Sequence, residues 1–197
     1  SQVVFGVLSF WFLFLLTKSL MNQTAALIAA FIFAINPTAV FSTKIAMDEH
    51  LFIPLWLAGI LLLVLDLQKP KVPKVLLAGL CFGLGAHLRT HSFAMGFVAF
   101  AAWVMVRKDW KRGFLRLLLI QMVAFTFAVP WAIRNYVKMG SPIFYSTALG
   151  LAMYWANNEN PLNVNYPLEQ GGDPAFILAR SEAERHEAGK RAALRWI

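Results

Sequence analysis

The sequence predicts an all-α, polytopic membrane protein, on three observations. Hydrophobic residues make up 59% of the 197 positions and only 14% are charged. A soluble domain carries more charge and less apolar surface, and the mean hydropathy here is +0.60. The apolar residues gather into runs long enough to enter a bilayer rather than into the short alternating patterns of strands. The basic residues, finally, gather in alternate connections between those runs, as the orientation rule for membrane helices requires.

Taken in order, the runs predict about six transmembrane helices, at 3–17, 24–41, 50–66, 74–88, 91–106 and 115–133. Nine of the eighteen Lys and Arg fall in three connections: Lys18; Lys69, Lys71 and Lys74; and Arg107, Lys108, Lys111, Arg112 and Arg116. Those connections are expected on the cytoplasmic side. The opposite connections carry Lys44, Arg89, Arg134 and Lys138. The net charge of +8 is therefore read as topology, and nucleic acid is excluded as a partner.

The fourth run is short. Its roughly 15 residues rise about 22 Å through a hydrocarbon core about 30 Å thick, which places Arg89 below the membrane surface in a polar cavity. Gly79 and Gly83, four residues apart, predict a close helix neighbour. Pro130 is expected to bend the sixth segment near its outer end and free a carbonyl.

Residues 1–137 thus read as a membrane module, and 138–197 as an outward-facing loop leading to an amphipathic surface helix. The loop carries Gly140, Pro142, Asn157 to Pro161 and Gly171-Gly172. Its Phe144, Tyr145, Leu149, Met153, Tyr154 and Trp155 predict a folded loop that hugs the membrane. A helix is expected from Asp173-Pro174 onward, an N-terminal signature. The chain opens on Ser1 inside an apolar run and closes at Arg195-Trp196-Ile197, so it reads as an internal part of a longer protein, and no signal peptide is assigned. The single Cys81 excludes a disulfide framework.

Four polar groups fall on the outer side: Lys44 with Asp48, Glu49 and His50; His87, Arg89, Thr90 and His91; Arg134 with Asn135; and Asn157 to Asn160. Carboxylates there can position or deprotonate an acceptor or hold a divalent metal, while Arg and Lys can neutralise a phosphate whose lipid tail stays in the bilayer. Each group also has a plainer reading. Asp48 can cap the third helix, Arg89 can reach lipid headgroups, Arg134 and Asn135 can close the sixth helix, and the asparagines can form turns. Phosphate-loop and helical zinc spacings are absent from the sequence, which leaves the metal unknown and no cofactor assigned.

Asn36-Pro37, Ser42 through Asp48, the run Ala78 to Arg89, and Pro130-Trp131 through Arg134-Asn135-Tyr136 followed by Gly140 resemble the type C membrane glycosyltransferases. The likeness is nearest to bacterial family 39 relatives, which include protein O-mannosyltransferase-like and aminoarabinose transferase-like proteins. It implies an inverting transfer of a sugar from a polyprenyl-phosphate donor to a lipid, protein or glycan acceptor, on the periplasmic or exterior face of a bacterial inner membrane. It further implies that Asp48 is a second acid, with Glu49 adjacent, and that the principal base precedes Ser1. Arg89 then becomes the leading donor-phosphate ligand, with Arg134, Asn135, Lys44, His91, Asn157 and Asn158 as further substrate-binding candidates. A lipid-linked sugar flippase or transporter and a noncatalytic membrane scaffold are the rival readings.

Overall fold

The computed structural model describes residues 2–37, 49–146, 148–157, 179 and 181–195. Those residues are helical with short connections and contain no strand. The protein is an all-α membrane protein. Three of its described helices, Gln2–Leu20, His50–Gln68 and Trp110–Met139, are long and apolar enough to cross a membrane. In chain order the helices are α1 (Gln2–Leu20), α2 (Gln23–Ile35), α3 (Glu49–Gln68), α4 (Val72–Leu88), α5 (Met95–Arg107), α6 (Trp110–Met139), α7 (Ala148–Ala156) and α8 (Glu182–Leu194). A 3-10 turn, Thr90–Ala94, joins α4 to α5. The chain divides into two compact units, 1–128 and 129–197.

In the first unit α3 packs against both α1 and α4, and α1 against α2. Its core is Val75, Ala78 and Phe82 of α4, Ala99 of α5 and Ile120 of α6. Small residues make this packing close, as expected where lipid removes the usual hydrophobic drive between helices. A Cβ added at Gly83 would lie 2.9 Å from the backbone Cα of Ala124, and one at Gly79 would lie 3.1 Å from the Ile120 carbonyl oxygen. The close neighbour predicted from the Gly79/Gly83 spacing is therefore α6. Side chains such as Leu27, Phe31, Ile32, Phe97 and Val98 are exposed, which suits a surface solvated by acyl chains.

The C-terminal end of α3 is capped by three later segments. Lys74 Nζ donates to the carbonyls of Leu65 (2.6 Å) and Lys69 (2.9 Å). The Arg107 guanidinium donates to the carbonyls of Leu67 and Gln68. Arg116 Nε donates to Asp66 Oδ2 at 2.6 Å. The last carbonyls of a helix have no intrahelical donor and carry partial negative charge, so cations suit both their bonding and their field. Gln68 Nε2 adds a bond to the Ser19 carbonyl at 2.9 Å, tying α3 to the end of α1. Beyond the topology that their positions imply, Lys74, Arg107 and Arg116 thus hold the bundle together.

In the second unit α7 and α8 pack on one another through small residues. Gly150 of α7 donates its N–H to His186 Nδ1 of α8 at 3.2 Å, and a side chain at Gly150 would collide with the His186 backbone. Ser181 caps α8 by accepting from Glu184 N at 3.2 Å. The expectation of a helix from Asp173 falls partly outside the described residues, and the described helix begins at Glu182. One face of it is buried, at Ala183, His186, Ala188, Ala192 and Ala193, while Glu184, Arg185, Glu187 and Arg191 are exposed.

Several boundaries differ from the sequence reading. The helix expected at 24–41 ends at Ile35, with Asn36 as its cap. The one expected from 115 begins at Trp110, and Ala148–Ala156 is helical where a loop is expected. The helix expected at 91–106 begins at Met95, because Thr90 to Ala94 tighten into the 3-10 turn. The helix expected to end at 133 runs through Pro130 to Met139. Gly140, at φ +69°, then stops it by donating to the Tyr136 carbonyl at 2.9 Å.

Candidate functional site

In the first unit the candidate residues gather at the end of α4. The chain leaves the helix at Arg89, whose N–H donates to the Gly85 carbonyl at 2.8 Å, and Arg89's own carbonyl accepts from Ser92 N at 3.0 Å. Ser92 is fully buried. It can be so because Gly85 has no side chain: a Cβ there would lie 2.9 Å from Ser92 Oγ. The turn that follows Arg89 is thus pinned to α4, while Arg89 itself is exposed at the surface of the unit. His87 Nε2 is 3.2 Å from the Phe127 carbonyl, which commits that ring to α6. His91 meets the Phe52 ring edge-on at 5.3 Å. The two histidines therefore serve different neighbours. His50 is buried.

Glu49 is the first residue of α3, and its backbone alone is described. Lys44, Asp48 and Asn158 lie outside the described residues. Among the described residues no three His, Cys, Asp or Glu side chains come together as metal ligands.

In the second unit a cavity of about 410 Å³ is lined by Trp131, Arg134, Asn135, Lys138, Tyr145 and Glu182, among others. Positions 131, 134, 135 and 138 recur every three or four residues, so a single face of α6 supplies them. Asn135 is the pivot of this face. Its Nδ2 donates to the Ile143 carbonyl at 2.7 Å, which draws the segment after Gly140 back onto the helix. Its Oδ1 accepts from Arg134 Nη1 at 3.1 Å. The Arg134 guanidinium also lies over the Trp131 ring, 4.8 Å from its centre, an electrostatically favourable placement. Burial pushes the Tyr145 phenol up to about 12, so it is a neutral hydroxyl at physiological pH.

Two cations, a carboxylate, an amide and a phenol on one cavity can bind an anion together with hydroxyl groups. Arg134 and Asn135 were singled out from sequence; Trp131, Lys138, Tyr145 and Glu182 were not read as site residues. The signal for Trp131 and Lys138 is the helical spacing itself, which shows only in a helix that continues past 133. Tyr145 and Glu182 reach the cavity only through folding. Asn157 closes the last turn of α7, its Nδ2 donating to the Met153 carbonyl at 3.0 Å.

No curated protein and no solved structure matches the chain. The sequence pattern of the dolichyl-phosphate-mannose-protein mannosyltransferase family matches residues 1–133. That span contains the Arg89 turn and all of the first unit, and it stops one residue before Arg134. With 133 of 197 residues matched, the chain belongs to the dolichyl-phosphate-mannose-protein mannosyltransferase family, membrane glycosyltransferases of type C.

Proposed function

We propose that the protein transfers a sugar, with inversion, from a polyprenyl-phosphate donor to an acceptor at the outer face of a bacterial cytoplasmic membrane. The observation that carries this reading is the family match over the helices that build the Arg89 turn. Arg89 leaves the end of a 17-residue helix and is held there by the buried Ser92. An exposed guanidinium at the end of such a helix can grip two oxygens of a lipid-linked phosphate while the prenyl chain stays among the exposed apolar side chains.

In this reading an acceptor hydroxyl oxygen attacks the anomeric carbon and the bond from that carbon to the phosphate oxygen breaks. The electron pair leaves with the polyprenyl phosphate, whose growing negative charge Arg89 stabilises. The hydroxyl proton passes to a carboxylate. Asp48, with Glu49 beside it, is the second acid of the site and orients the acceptor. Lys44 and His91 support the phosphate. Within the second unit Asn135 holds the segment after Gly140, and Arg134, Asn135, Asn157 and Asn158 are the groups that would contact sugar or acceptor hydroxyls. A protein, lipid or glycan acceptor is compatible with these groups.

The test is the class of donor. Full-length protein in vesicles is offered a labelled polyprenyl-phosphate sugar or the corresponding nucleotide sugar, with product followed over time. Transfer from the lipid-linked donor alone supports the proposal; transfer from the nucleotide sugar, or from neither, contradicts it.

A further inference from the structure

The first unit holds a second cavity, of about 440 Å³, that no step above uses. Its walls come mainly from Trp56, Ile60 and Leu63 of α3 and from Val98, Ala102 and Trp103 of α5, with the Asp66–Arg116 pair at one end. Trp56 and Asp66 are ten residues apart, about 15 Å along the helix axis, or half of a hydrocarbon core of about 30 Å. The cavity is thus as deep as one leaflet.

Its polar end sits in a basic rim. Arg116 and Asp66 neutralise one another, and Lys69, Lys71, Lys108, Lys111 and Arg112 are exposed on the connections that lead into the two residues; of these Arg112 is paired with Asp109, Nε to Oδ2 at 3.4 Å. Two of these residues reach the pair through their backbones: Lys71 N–H donates to Asp66 Oδ1 at 2.7 Å, and the Arg112 carbonyl accepts from Arg116 Nη1 at 3.2 Å. A second observation concerns Trp103, which is 2% exposed and lies 3.4 Å beneath the Arg116 guanidinium. Its indole N–H has no acceptor among the described residues. A buried donor left unpaired is costly, and an occupant bearing carbonyl oxygens near the polar end would relieve it.

We propose that this cavity binds one anionic glycerophospholipid. An acyl chain lies along α3 and α5, the ester carbonyls lie at the depth of Trp103, and the phosphate sits among Lys71, Lys108 and Arg112. Apolar walls alone would accept any lipid chain; the rim selects the negative headgroup. The site is separate from the Arg89 turn, and a failure here leaves the transferase reading intact.

The test uses full-length protein, stripped of lipid in detergent and titrated with phosphatidylglycerol or phosphatidylcholine, with bound lipid counted by native mass spectrometry. One phosphatidylglycerol should bind at least tenfold more tightly than phosphatidylcholine. Ala102→Phe, which fills the cavity, should abolish that bound lipid. The paired change Lys71→Gln with Arg112→Gln should weaken phosphatidylglycerol roughly thirtyfold and leave phosphatidylcholine unchanged. Because it alters only exposed side chains, this pair decides the matter if Ala102→Phe does not fold. Equal affinity for the two headgroups, no binding of either, an unaltered count in folded Ala102→Phe, or displacement of the lipid by a polyprenyl phosphate would each overturn the proposal.

Discussion

Arg116 grips Asp66 across fifty residues of sequence, Nε to Oδ2 at 2.6 Å, with both side chains buried. Three further groups complete the pair. The Lys71 N–H reaches Asp66, the Arg112 carbonyl receives Arg116, and the Trp103 ring lies against the guanidinium. Taking such charges out of water is costly, and the cost is offset only when every remaining donor and acceptor is used.

Asp66→Ala should therefore destabilise the bundle by about 3–5 kcal/mol, because it strands a buried guanidinium. Replacing both partners, Asp66→Leu with Arg116→Met, should recover most of that loss. Unfolding in mixed micelles followed by circular dichroism checks both. A single variant as stable as the parent would show that the pair is not what holds the end of α3.

Gly83 faces α6, where an added Cβ would meet the Ala124 Cα at 2.9 Å, backbone that cannot turn aside, and the Phe127 ring at 3.0 Å. Gly83→Leu should cost about 1–3 kcal/mol by forcing the helices apart. Gly140 offers a contrast, since nothing lies within 4 Å of an added Cβ but φ is +69°. Gly140→Ala should cost about 1 kcal/mol, from backbone strain alone. The same unfolding measurement ranks the two.

Asn135→Ala removes the donor to the Ile143 carbonyl and the acceptor for Arg134 together. We expect a loss of about 1–3 kcal/mol. Faster proteolysis within residues 140–146 and slower sugar transfer should accompany it, with helix content unchanged. Protease sensitivity equal to the parent's would mean that Asn135 does not hold this segment.

The buried Tyr145 phenol, raised to about 12, keeps its proton in the folded protein where the unfolded chain would lose it near pH 10. The stability it contributes is complete below about pH 10 and is lost as pH rises through about 12. Phenolate absorbance should show a late-titrating tyrosine that disappears in Tyr145→Phe. A titration unchanged by that substitution would refute the assignment.

The apolar runs, the Gly79/Gly83 contact and the turn at Arg89 were legible in the sequence because each rests on local spacing. The end of α6 was not. The apolar run stops at 133, with Pro130 expected to bend its end, whereas the helix continues until Gly140 supplies a left-handed residue, and that continuation aligns Trp131, Arg134, Asn135 and Lys138. Asp66 passed unnoticed because a lone acid beside Gln68 and Lys69 resembles an ordinary helix end. Only folding brings Arg116 to it. The same holds for Lys74 and Arg107, whose charge was readable as orientation but whose bonds to the α3 carbonyls depend on tertiary contact. Lys44, Asp48 and Asn158 fall outside the described residues, so their roles rest on the proposed chemistry.

The most direct test of that chemistry is the turnover of full-length Arg89→Ala and Asp48→Asn proteins with a labelled polyprenyl-phosphate sugar at saturating donor. Arg89→Ala should lower kcat by about 100-fold to 1,000-fold, the loss expected when a group that stabilises developing charge is removed. Asp48→Asn should fall markedly while folding normally. Wild-type turnover in both variants, with normal folding, would contradict the assigned site.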